Sequence, residues 1–136
     1  RLVVDEIRTV GPGAQPEFLA AVVEQRVPLM AHYGHRPTGL YEVTSNQHEV
    51  VMVWATDIAS RTRFHQCRDS ARGLCDEGEP DARIPAWDAV QARYVTGGDA
   101  HVMTPLPRTV YGPEDWEDAS LEDWLERAEQ TAGAAD

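Results

Sequence analysis

The chain predicts an α+β fold: a four-stranded antiparallel sheet with helices on one face, in the order β-α-β-β-α-β. Three observations carry this. Residues 38–57 hold two β-rich runs, 38–44 and 49–56, around a polar turn at 45–48. Val43, Val50, Val51 and Val53 are β-branched and Tyr41 and Trp54 aromatic, so both runs suit a pleated, partly buried surface. Helical apolar patterns end just before this hairpin and begin just after it. Further β-rich runs at the start of the chain and near residue 100 complete a split βαβ arrangement.

In chain order, residues 2–10 form the first strand, which this topology makes a central one. Strand side chains alternate, so Glu6 and Arg8 share a face. Gly11-Pro12-Gly13 breaks the strand. Pro16 and Glu17 suit the first turn of a helix. Its stripe is Phe18/Leu19, Val22/Val23, Val27, Leu29/Met30 and Tyr33. Pro28 removes a backbone donor and should kink or divide that helix, and Gly34 should end it. Asp57 or Ser60 caps a second helix with Phe64, Cys67, Ala71 and Leu74 on one face. Residues 76–81 read as a loop, and Ile84, Trp87, Val90 and Tyr94 as a shorter helical piece. Gly97-Gly98 is expected to turn the chain into a last strand, 100–106, ended by Pro105 and Pro107.

At 136 residues and 42% hydrophobic, the composition suits a single core. The formal charge of −11 is uneven: from Glu114 onward nine acids face only Arg127, whereas residues 1–113 carry 14 acids and 11 arginines. No basic stripe is present and the tail would repel phosphate, which argues against nucleic acid. No apolar run reaches the roughly 18 residues of a membrane span, and no secretory leader is visible. Cys67 and Cys75, eight apart in the expected helix, would sit roughly 12 Å from each other, too far for a disulfide. Reduced thiols in the cytoplasm are expected.

The division is a domain over 1–108 and an acidic extension over 109–136. In the extension Ser120 and Asp123 resemble a capping box, and Leu121, Trp124, Leu125 and Ala128 form an amphipathic stripe. A helix docking on its own dimer is the plainer reading; a protein-docking helix at residues 120–131 is the sharper one.

Several strings resemble the NIPSNAP family, within the dimeric α/β barrels. They are E-I-R-T-V (6–10), P-L-M-A-H-Y-G-H (28–35), G-L-Y (39–41), N-Q-H-E-V-V-M-V-W-A (46–55), S-R-T-R (60–63) and M-T-P-L-P (103–107). Met52 and Thr56 stand where family members often carry an aromatic residue or histidine. The resemblance implies a ferredoxin-like protomer whose bare sheet face packs on a second copy, a homodimer. It implies no single reaction.

Metal is not expected: His32 and His35 are separated by a helix end, His48, His65 and His101 are scattered, and neither cysteine has a C-x-x-C partner. Gly11-Pro12-Gly13 is too short for a phosphate loop, and no nucleophile elbow is present. What remains is a pocket between sheet and helices. Glu6, Arg8, Met52, Trp54 and Arg63 are the candidate substrate-binding residues, and Tyr41, His65 and His35 the candidate acids or bases. Glu6 and Arg8 are either an ion pair across the dimer interface or an anchor for a small acidic or phenolic ligand. Arg8 or Arg63 would steady an enolate or carboxylate. The expected activity is that of a small-molecule-binding protein. In its catalytic form it would be a cofactor-independent cyclase, isomerase or monooxygenase, of the kind that tailors natural products in related barrels. The alternative is a non-catalytic dimer that binds a ligand or a protein through the tail. A haem would need an axial histidine, from His101 or His65; no cofactor is expected.

Overall fold

The computed structural model of the protein describes residues 2–105. The tail helix expected at 120–131, the extension from 109, and the last residue of the expected final strand lie outside them.

Strand β1 (Leu2–Val10) forms where expected. Helix α1 (Gln15–Ala21) follows, then a π turn (Val22–Arg26) and helix α2 (Val27–His32). The expected break at Pro28 is thus a widened turn, in which Val27 N–H bonds to Val22 O. Proline has no N–H and its ring crowds the carbonyl four residues back, and the extra residue of the π turn accommodates both. Gly34, at φ 71°, ends α2 in the left-handed region.

Strands β2 (Arg36–Glu42) and β3 (Glu49–Thr56) form the hairpin. Strand β2 starts and stops two residues earlier than expected. The six-residue loop is held by Gln15, whose side-chain amide donates to the carbonyls of Val43 (3.2 Å), Asn46 (3.0 Å) and Glu49 (2.6 Å). Helix α3 (Ile58–Ala71) is capped by Asp57, whose Oδ1 accepts Ser60 N–H at 2.7 Å. It stops at Gly73 (φ 72°), so Leu74 and Cys75 lie beyond it, not on its face, and Leu74 is exposed. Both cysteines are free. Helix α4 (Arg83–Gln91) ends before Tyr94.

Strand β4 (Val95–Met103) corrects the expectation of a Gly97-Gly98 turn. Both glycines lie inside the strand, opposite Thr9 and Arg8, beside an irregularity at Thr9/Val10. Gly98 has φ 143°, and a Cβ there would run into the backbone of Ile7 and Arg8. The pair permits close strand approach.

The sheet order is β2-β3-β1-β4, antiparallel throughout, so β1 is central and the protomer is ferredoxin-like. Val4, Val10, Val50, Met52 and Trp54 are buried against Phe18, Val22, Met30, Phe64 and Trp87 of the helices. Val3, Ile7, Val51 and Val53 point the other way and stay partly exposed. Among the described residues no helix is long and apolar enough to cross a membrane.

Candidate functional site: an arginine-lined cleft

Alternation along β1 turns Glu6 and Arg8 toward the helices, where their registers match Met52 and Val50 of β3. Glu6 is only 3% exposed. A carboxylate taken this far from water must be paired. Two guanidinium groups do so. Arg8 Nη2 donates to Oε2 at 2.7 Å, and Arg26 Nη2 to Oε1 and Oε2 at 2.7 and 2.8 Å. Arg8 is further held by the carbonyls of Ile7 (3.1 Å) and Asp99 (3.0 Å). The Glu6–Arg8 pair therefore lies within one chain beneath the helices, and not on the bare face where a sheet-to-sheet interface would form.

Arg26 comes from the end of the π turn and is 8% exposed. Its guanidinium carbon stands 5.5 Å from the Trp54 ring and 5.9 Å from the Trp87 ring, and Nη1 approaches Met52 Sδ at 3.8 Å. A desolvated cation between indole faces gains about 2 kcal/mol from such contacts.

Above this cluster is a cleft of about 290 Å³. Its sheet-side floor is Glu6, Arg8 and Ala100, and its far walls come from α3 and α4. Helix α3 contributes Arg61, Phe64 and Arg68, and its C-cap residue Arg72 continues the same helical spacing. Helix α4 contributes Ile84, Trp87, Asp88 and Gln91. Five arginines thus meet Glu6 and Asp88 in the cleft lining and Asp69 beside it, an excess of two positive charges. Arg72 is bound by Asp88 (Nε–Oδ2 2.9 Å, Nη2–Oδ1 2.8 Å), and Arg68 by the neighbouring Asp69 at 3.1 Å. The Arg61 side chain makes no hydrogen bond or ion pair among the described residues, and its Nε is a buried donor without a partner. Burial pushes its pKa down, opposed by the Glu6 charge.

The structure brings Glu6 and Arg8 to the cleft. Met52 and Trp54 lie beneath it, in contact with Arg26, without lining it. The other candidates are elsewhere. Tyr41 pairs with Val51 on the opposite face of the sheet and is 54% exposed. Arg63 is exposed, donating to His32 O at 2.6 Å with its guanidinium 5.3 Å from the Tyr33 ring. His35 is 2% exposed, its Nδ1 3.0 Å from Tyr33 O, its ring edge-on to Phe64, and its Nε2 unpartnered. Burial, then the neighbouring Arg61 charge, holds it below the usual histidine range. His65 is pushed down to about 4, by burial first and then by Arg68 and Arg61, so it is neutral at pH 7. Neither histidine lines the cleft. Among the described residues no group of three or more His, Cys, Asp or Glu could hold a metal ion.

Sequence reading missed Arg26, Arg61, Arg68, Arg72 and Trp87. A signal was present: Arg26 stands four residues after Val22 and four before Met30, inside the apolar stripe. Likewise Arg61 and Arg68 flank buried Phe64 at −3 and +4. Charges on an apolar stripe mark an interior polar site.

No family model matches the chain, and no curated protein matches it. Solved structures do. A NIPSNAP domain protein from Burkholderia xenovorans is 20% identical, with a TM-score of 0.59 over 80% of this chain and 98% of that one. A NIPSNAP family protein from Agrobacterium tumefaciens is 15% identical, with a TM-score of 0.60 over 79% and 88%. A putative antibiotic biosynthesis monooxygenase from Nitrosomonas europaea is 11% identical, with a TM-score of 0.55 over 79% and 100%. At these identities the likeness is one of fold, and the chain has the ferredoxin-like α+β fold of the NIPSNAP proteins.

Proposed function

We propose that the protein is a NIPSNAP-family homodimer that binds a small organic anion in the cleft of each protomer. The observation that carries this reading is the excess of guanidinium groups in a cleft with aromatic walls. At about 290 Å³ the cleft is near the lower end of the roughly 300–1,000 Å³ typical of ligand pockets. Dimerisation is supported by the bare sheet face, where Val3, Ile7, Val51 and Val53 stay partly exposed around Tyr41. The two free cysteines support a cytoplasmic setting.

Binding is favoured over acid–base catalysis because Tyr41, His35 and His65 do not line the cleft. The catalytic reading draws on the name of the Nitrosomonas europaea neighbour. In that reading the cleft arginines stabilise negative charge developing on a small metabolite, without a cofactor.

Native mass spectrometry of the purified protein tests the proposal. The expected result is a species at twice 15.1 kDa carrying up to two small adducts that are released on denaturation. A monomer would overturn the dimer. A panel of small organic acids that leaves both the mass and the melting temperature unchanged would overturn the ligand reading.

A further inference from the structure

We infer that Arg61 is the anion receptor of the cleft and that its ligand is a small monocarboxylate with a planar apolar body. This deepens the small-anion reading and rests on it.

Arg8 and Arg26 are committed to Glu6, Arg72 to Asp88 and Arg68 to Asp69. Arg61 alone among the cleft arginines has no carboxylate or carbonyl within hydrogen-bonding distance among the described residues, and its Nε is buried. A guanidinium stays charged in a protein, so burial of Nε costs hydration that no hydrogen bond from the chain returns, and the Glu6 charge offsets only part of the loss. Its planar fork presents parallel N–H bonds that a carboxylate accepts two at a time, so one carboxylate in the cleft can pair with the charge. One guanidinium without a hydrogen-bond partner calls for one carboxylate. The body of the ligand is set by the apolar walls, Leu29, Met30, Phe64, Ile84 and Trp87, two of which offer aromatic faces.

The test is an NMR titration of ¹⁵N-labelled full-length protein, using sodium benzoate and its neutral counterpart benzamide as probes. Benzoate should shift the Arg61 Nε–H signal and the Trp87 indole signal, and should bind at least about tenfold more tightly than benzamide, the 1.4 kcal/mol expected of a charge-assisted pair. Arg61→Gln should lose at least that factor for benzoate and little for benzamide. Arg63→Gln, two residues along the same helix but outside the cleft, should bind benzoate like wild type. Equal benzoate affinity in wild type and Arg61→Gln would overturn the role of Arg61 while leaving ligand binding in place. Equal affinity for benzoate and benzamide in wild type would overturn the carboxylate. If neither probe moves any cleft signal, both this inference and the small-anion reading fall. The wild-type Nε–H shift is read without any variant, so misfolding of Arg61→Gln would not protect the claim.

Discussion

The floor of the cleft and its helical wall hold similar charges in opposite states. On the floor, Glu6 is gripped by two arginines, themselves braced by backbone carbonyls and indole rings. On the wall, Arg61 stands with a buried donor and no partner. A complete network fixes a structure, whereas an incomplete one is where a ligand can add what the chain lacks. The contrast separates arginines that the chain itself pairs from the one whose side chain it leaves without a hydrogen-bond partner.

The largest effect should come from breaking the complete side. Glu6→Gln removes the charge that buried Arg26 and half-buried Arg8 share, and should cost about 3–5 kcal/mol in urea denaturation. A loss below about 1 kcal/mol would mean the floor is solvated and the contrast false. Gly98→Ala pushes a methyl group into the strand beneath Arg8 and should cost about 1–3 kcal/mol; wild-type stability would show that β4 sits further out.

A pH series sharpens the wall side. His65 falls from 6.5 in the unfolded chain to about 4 in the folded protein, so the unfolded state takes up the proton first. Its contribution is fully present above pH 6.5 and is lost as pH drops toward 4. His65→Gln should flatten the stability profile across that window; an unchanged slope would remove His65 as its source. Asp88→Asn opens an exposed bidentate pair and should cost only about 0.2–1 kcal/mol. The smallest effect is expected at Arg61→Met, within about 0.5 kcal/mol of wild type or slightly stabilising, because no partner is abandoned. A loss like that of Glu6→Gln would show that Arg61 is already satisfied by the chain.

Legibility differed along the same elements. The bounds of β1, the cap at Asp57 and the break near Pro28 were readable because each depends on neighbours within a few residues. Gly97-Gly98 misled, since a glycine pair serves equally for a turn and for close packing, and only strand β1 opposite makes it the latter. The hairpin loop was mis-bounded for a similar reason: Gln15, some thirty residues upstream, sets its shape.

The candidate site divided the same way. Glu6 and Arg8 followed from strand alternation, which is strictly local. Tyr41 was assigned to a pocket it faces away from, because its side depends on the register with Val51 across the hairpin. Arg26, Arg61 and Trp87 belong to three separate helical segments, and no local pattern says that they face one cleft.

Strand and helix order, the central place of β1 and the shared face of Glu6 and Arg8 thus came from the chain's own periodicity, since backbone geometry converts spacing directly into direction. Which arginine pairs with which carboxylate, and which is left without one, was decided by packing: the partners are far apart in sequence, and their pairing exists only once sheet and helices have closed over them.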